Sequence, residues 1–178
     1  GEEAVLKNID FSCHKGQKIA VIGSTGSGKS TLVKLMNRFY DVSRGSIEIN
    51  GVDIRKYDLE SLRAQIGYVA QKAHMFKGSI KSNICFGKPE ASDEEMHHAA
   101  RVAQASDFIS KRENGYLDEI AEDGTNISGG QKQRLSIARV ILKKPSLYIY
   151  DDSFSALDFK TDATLRKALK PEVKDAIF

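Results

Sequence analysis

Residues 17–31 read QKIAVIGSTGSGKST. The apolar run Ile19, Ala20, Val21 and Ile22 predicts a strand. Residues 23–31 then match the pattern G-x-x-x-x-G-K-[ST] in the required order of strand, loop and helix. Glycines let a backbone bend until successive N–H groups point inward, where they can cradle phosphate oxygens. The start of the following helix adds its partial positive charge at the same place. The candidate cradle is therefore Gly23, Ser24, Thr25, Gly26, Ser27, Gly28, Lys29, Ser30 and Thr31. Lys29 is expected to reach the β- and γ-phosphates, and the Ser30 hydroxyl to ligate Mg²⁺. The stretch implies a nucleoside triphosphate site.

Working outward, KSTLVKLMNRFY places Leu32, Leu35 and Met36 on one helical face. Upstream, NIDFSCH alternates Ile9, Phe11 and Cys13 as the buried face of a strand would. Downstream, GSIEINGVDI predicts a strand that turns at Asn50-Gly51. IGYVAQ predicts a short buried strand ending at Gln71. GSIKSNICF, SDEEMHHAARVAQ and ASDFISKR read as helical pieces, with Ser92 an N-cap and Glu95 three residues on. A helix over 130–143, the strand LYIYD and the helix KTDATLRKALK, ended by Pro171, follow. Ala176, Ile177 and Phe178 look like the start of a further strand, so the chain is expected to be a fragment. Strands alternating with helices argue for an α/β fold with a mainly parallel sheet, an all-helical lobe beside it and a small antiparallel part. The expected organisation is one domain over 1–178, with a core of roughly 1–75 and 145–178 and a helical subdomain of roughly 76–144.

Two further stretches carry chemistry. LYIYDDSFSALD, residues 147–158, ends an apolar strand in Asp151 and Asp152, which suggests a metal ligand, a general base, or both. NISGGQKQR, residues 126–134, starts a helix that Ser128 can cap, with Gly129 and Gly130 leaving the first N–H groups uncovered. One nucleotide needs only one such cradle. This second terminus is either a well-capped helix start or a site for a nucleotide held by another subunit.

The composition narrows the classes. The chain has 178 residues, 40% hydrophobic and 29% charged, with a net charge of +3. That is an ordinary globular balance, and the absence of a basic run gives no support to a nucleic-acid partner. Cys13 and Cys85 fall outside any CxxC spacing and read as core thiols of a reducing compartment. His97 and His98 are adjacent on a polar helix face and point in different directions, a poor arrangement for a metal. No apolar stretch approaches the ~20 residues of a membrane span, and no signal peptide is expected.

Together these residues resemble the nucleotide-binding domain of ATP-binding-cassette (ABC) proteins, which has the P-loop NTPase fold. Gly23–Thr31 corresponds to Walker A, Gln71 to the Q-loop glutamine and ISGGQ to the signature. LYIYDD corresponds to Walker B, and Ser155–Asp158 to the D-loop. EIAEDGTNISGGQ and the lead-in GEEAVLKNIDF are similar to exporter members, although Ala121 replaces a glycine of the exporter segment. The resemblance implies ATP and Mg²⁺ as cofactors. Lys29, Gln71 and Asp152 would be catalytic, and Ser30, Gln71 and Asp151 would be metal-binding. The cradle, with Ser128, Gly129, Gly130 and Gln131, would bind nucleotide.

The resemblance also implies partners. A second such domain, identical or different, would pair head to tail, each Walker A facing the other's signature. Transmembrane domains would complete an exporter, placing this chain on the cytoplasmic side of a membrane, with contacts around 72–80 and 120–124. An adenine-stacking aromatic is expected just before residue 1 and a switch histidine after residue 178. Asp152 stands where the family usually has the glutamate general base. Aspartate has a similar pKa but is one methylene shorter, so the site built on this chain is expected to hydrolyse slowly. Alternatives are a homodimer in which Asp152 still works, a non-hydrolysing regulatory subunit, and a soluble ABC ATPase acting on nucleic acid or ribosomes.

Overall fold

The computed structural model describes residues 5–178, so the start of the exporter-like lead-in, residues 1–4, lies outside the described residues. Helix α1 (Lys29–Met36) follows the glycine loop. Strands β1 (Glu48–Ile49) and β2 (Val52–Asp53) form an antiparallel hairpin, turning through Asn50 and Gly51 at φ of 53° and 74°. Asn and Gly tolerate the left-handed backbone that such a turn demands.

Helix α2 (Leu59–Ala64) starts at Asp58, whose carboxylate accepts a hydrogen bond from the Ser61 amide. Strand β3 (Ile66–Val69) comes next. β4 (Gly78–Ser79) leads directly into α3 (Ile80–Ile84). The helical section continues with α4 (Asp93–Val102) and α5 (Ser106–Ile109), and β5 (Glu119–Ile120) returns to pair antiparallel with β4. Ser92 and Glu95 form the expected capping box on α4. The long helix α6 (Gly129–Lys143), strand β6 (Leu147–Tyr150) and helix α7 (Phe159–Glu172) complete the order.

Strands β3 and β6 run parallel in the register Ile66 to Leu147 and Val69 to Tyr150. Successive side chains leave opposite faces of a strand, and β6 uses both. Tyr148 and Tyr150 pack with α4, α6 and α7. Leu147 and Ile149 join Ile54, Leu62 and Ile66 against Val33 and Met36 of α1. Parallel strands covered on both faces are the expected α/β arrangement. Helix α6 is apolar over more than one stripe, with Leu135, Ile137, Ala138, Val140, Ile141 and Leu142 all buried, because it is enclosed by α3, α4 and β3. At Gly67 a side chain is impossible without movement: a β-carbon would lie 2.5 Å from Val140 Cγ1 and 2.6 Å from Pro145 Cγ. Arg139 crosses from α6 to donate to the Asn83 carbonyl at 2.8 Å and lies over the Phe76 and Phe86 rings. Burial lowers its pKa to about 10, which still leaves it charged at neutral pH.

Three sequence expectations need correction. Neither NIDFSCH nor QKIAVIG forms a strand. The sheet does continue past β6: Tyr148 N donates to Ile177 O, Phe178 N to Gln17 O and Ile19 N to Phe178 O, all within 2.8–3.0 Å. These rungs stop at Ile19, and a strand exists only as far as its ladder. Ile9 and Phe11 remain 53% and 49% exposed, since alternation without a partner strand or a facing layer buries nothing. Cys13 is accordingly half-buried rather than a core thiol, while Cys85 is buried. Helix α7 passes Pro171 and ends at Glu172. The missing proline N–H costs one hydrogen bond in a last turn that is already ending. The two adjacent histidines turn to different partners: His97 packs on Tyr116, and His98 Nε2 lies 2.9 Å from Glu172 Oε1, linking α4 to α7. Among the described residues, no helix is long and apolar enough to cross a membrane.

Candidate functional site

Helix α1 begins without a side-chain cap; its N-cap is Gly28, at φ 92°. Only glycine fits there, because a β-carbon would sit 2.6 Å from Leu6 Cδ2. Gly26 is also left-handed, at φ 82°. The loop curls around Lys29, whose ammonium donates to the carbonyls of Gly23 at 2.7 Å and Ser24 at 2.8 Å, and to Ser27 Oγ at 3.4 Å. An uncapped helix start beside a lysine concentrates positive potential at one point.

The opposing wall is the end of the parallel pair. Asp151 N donates to Val69 O at 3.0 Å and Ser153 Oγ donates to the same carbonyl at 2.6 Å, so the chain after β6 is pinned to β3. Parallel register puts Tyr68 beside Ile149, and therefore on the face of Asp151 two residues further. The Tyr68 hydroxyl donates to Asp151 Oδ2 at 3.3 Å. Its own pKa is raised, mainly by partial burial and secondly by the Asp151 charge. Gln71 Nε2 donates to Asp152 Oδ2 at 3.2 Å. Asp152 has φ 48°, and its carbonyl accepts from Ser155 Oγ at 2.8 Å.

The two walls enclose an open cleft of about 710 Å³. Of the sequence-predicted residues, Gly23, Thr25, Gly26, Lys29 and Ser30 line one side, and Gln71, Asp151 and Asp152 line the other. Ser24, Ser27, Gly28 and Thr31 belong to the same loop and helix start without lining the cleft. The donors at hand are a hydroxyl, an amide and carboxylates, the hard oxygens that suit Mg²⁺. Among the described residues no group of three His, Cys, Asp or Glu side chains could cage a metal.

Ser128, Gly129, Gly130 and Gln131 line none of this cleft. Ser128 caps α6: its hydroxyl accepts from Gln131 N at 3.2 Å while its own amide donates to Gln131 Oε1 at 3.0 Å. Both side chains are thus committed to the helix. What the terminus offers outward is backbone: Gly129 is exposed, with nothing within 4 Å of where its β-carbon would be, while Gly130 is half-buried against Ala156.

Sequence reasoning missed several residues. Tyr68 was findable only by combining side-chain alternation with the β3–β6 register. Gln133, buried in α6, donates to Ala70 O at 3.1 Å and steadies the approach to Gln71; a lone glutamine in a helix gives no signal for this. Asp158 caps α7 by accepting from Thr161 N at 2.9 Å, a role visible in the spacing Asp-x-x-Thr. Tyr150 stacks on Phe154 and meets Phe178 at a tilt, with ring centroids 5.0 Å away in both pairs, and among the described residues its buried hydroxyl has no hydrogen-bond partner.

Comparison with known proteins agrees with this geometry. The family profile described as ABC transporter matches residues 6–155. The chain is 46% identical over 166 residues to heavy metal tolerance factor 1 of Caenorhabditis elegans, covering 93% of this chain and 21% of that protein. It is 46% identical over 174 residues to a putative multidrug export ATP-binding/permease protein of Staphylococcus aureus, covering 98% of this chain and 30% of that one. The structure of a bacterial Atm1-family ABC exporter with ATP bound superposes with a TM-score of 0.88 at 38% identity, over 91% of this chain and 29% of that chain. The chain therefore spans less than a third of the length of these relatives. With its glycine loop and paired carboxylates facing one another across the cleft, the chain belongs to the ABC transporter family, as an ATPase-type nucleotide-binding domain similar to those of exporters.

Proposed function

We propose that this chain binds and hydrolyses ATP to drive export across a membrane, acting with a second nucleotide-binding domain head to tail. The observation that carries this reading is a division of labour. The cradle, Gln71 and both carboxylates line one cleft, while the glycine terminus of α6 lines none of it. A phosphate-type terminus outside its own chain's cleft makes sense when it completes the cleft of another chain.

Within the cleft, Lys29 exchanges its loop carbonyls for β- and γ-phosphate oxygens, and the amides from Gly23 to Thr31 cradle the same group. Ser30 and Asp151, with Gln71, supply protein oxygens for Mg²⁺. When bound there, Mg²⁺ neutralises charge on the phosphates. Asp152 stands at the position where a general base would accept a proton from the attacking water. Its short side chain limits its reach, and a base out of hydrogen-bond distance forfeits much of its roughly 10²–10⁴-fold effect. The site built on this chain therefore turns over slowly, while the α6 terminus serves the facing site. The names of the relatives, which pair ATP-binding with permease, support transmembrane domains as partners and a position on the cytoplasmic side of a membrane.

The test is disulfide trapping in the full-length protein. Ser27→Cys on one protomer is combined with Gly129→Cys, or its equivalent, on the other, with Cys13 and Cys85 replaced by alanine. Mg-ATP is expected to accelerate bridging several-fold. Bridging that Mg-ATP never enhances would rule out the head-to-tail reading.

A further inference from the structure

We propose that Tyr68 is a positioning residue for the Asp151 carboxylate, setting the site's affinity for its divalent cation. The proposal rests on the reading above that Asp151 is the metal-side carboxylate. Three observations carry it. The first is the contact itself: the Tyr68 hydroxyl donates to Asp151 Oδ2 at 3.3 Å, across an interval of 83 residues. Among the described residues no side chain donates to Oδ1. A donor on one oxygen, here at the long end of the hydrogen-bond range, biases the carboxylate's orientation and leaves the other oxygen unbonded.

The second observation is that the backbone on both sides of this contact is rigid. Tyr68 and Ile149 are register partners in the parallel pair, and Asp151 N and Ser153 Oγ both donate to Val69 O. The hydroxyl therefore meets the carboxylate from a fixed platform rather than from a mobile loop. The third is that the Tyr68 ring is itself held. Phe39, just past α1, meets it edge-on at a centroid distance of 6.4 Å, and the Arg63 guanidinium lies over the Phe39 ring. The phosphate helix, β3 and the aspartate beyond β6 are thus joined through one aromatic contact and one hydrogen bond. A partner that orients a metal-binding group by hydrogen bonding is commonly worth roughly 10–100-fold in metal affinity. The lower end applies here, because Mg²⁺ is held largely through water and phosphate.

The experiment uses the full-length protein and Tyr68→Phe, which keeps the ring against Phe39 and removes only the donor. Mn²⁺ is titrated at fixed ATP and its binding followed by electron paramagnetic resonance. ATP affinity is measured separately in chelator without metal. The expected result is that Mn²⁺ affinity falls about tenfold while metal-free ATP affinity stays within about twofold. In an Asp151→Asn background the same substitution should add less than about twofold, as expected when two residues act through one contact. Unchanged Mn²⁺ affinity in Tyr68→Phe would overturn the proposal. So would a matching loss of metal-free ATP affinity, since that marks a merely structural role. Should Asp151→Asn alone leave Mn²⁺ affinity intact, it is the underlying reading of Asp151 that fails.

Discussion

Asp152 occupies the left-handed region at φ 48°, a conformation that aspartate and asparagine enter more readily than longer residues do. Its backbone thus suits the residue that is present, and its carboxylate is held by Gln71. Two variants separate reach from chemistry. In the assembled transporter, Asp152→Asn should leave ATP turnover at this chain's own site within about twofold, and Asp152→Glu should raise it about tenfold or more as reach is restored. A large loss in the asparagine variant would show that aspartate is already the working base. Tyr150, one strand residue before Asp151, presents the opposite case of a group without a partner. Among the described residues its buried hydroxyl finds no partner, and burial raises its pKa far above the ordinary phenol range. Removing an unsatisfied buried polar atom without altering shape is stabilising. Tyr150→Phe should therefore raise stability by about 1 kcal/mol, read as a rise of about 2–4 °C in Tm.

At the scale of the element, helix starts were legible throughout, whereas of the expected strands only β3, β6 and the β1–β2 hairpin formed. Ser92 with Glu95 marked the start of α4, and Ser128 with Gln131 marks α6 by the same reciprocal pairing. Such signals are local, so a sequence carries them whole. The apolar runs at Ile9–Cys13 and Ile19–Ile22 look no different from β3 or β6 as text. Only two of these four segments obtain a ladder, because ladder formation depends on residues remote in sequence: Ile66 pairs with Leu147, 81 positions on. The capping box at α6 also makes a measurable claim. Ser128→Ala leaves the Gln131 amide unpaired and should cost about 1 kcal/mol of local stability. Hydrogen exchange at the first amides of α6 should quicken about fivefold, with β3 and β6 unaffected; an unchanged first turn would mean that the box carries no weight.

Across the whole molecule, the site lies where two elements far apart in sequence end side by side. The glycine loop was legible as a candidate cradle because its pattern is contiguous, and five of its nine residues line the cleft; Gln71 and Asp151, named from motif order, line it too. The support behind them was not. Tyr68, Gln133 and Ser153 act through the β3–β6 and α6–β3 junctions, which exist only after folding. One feature of the loop bears on what the protein will accept. The Lys29 ammonium is already satisfied by three oxygens of its own chain. A newcomer must outbid those dipoles, so selection depends on a difference rather than on attraction alone. Monovalent or diffuse anions gain too little from the exchange, whereas a polyphosphate brings enough concentrated charge to displace them, giving the loop a built-in threshold against small, abundant competitors.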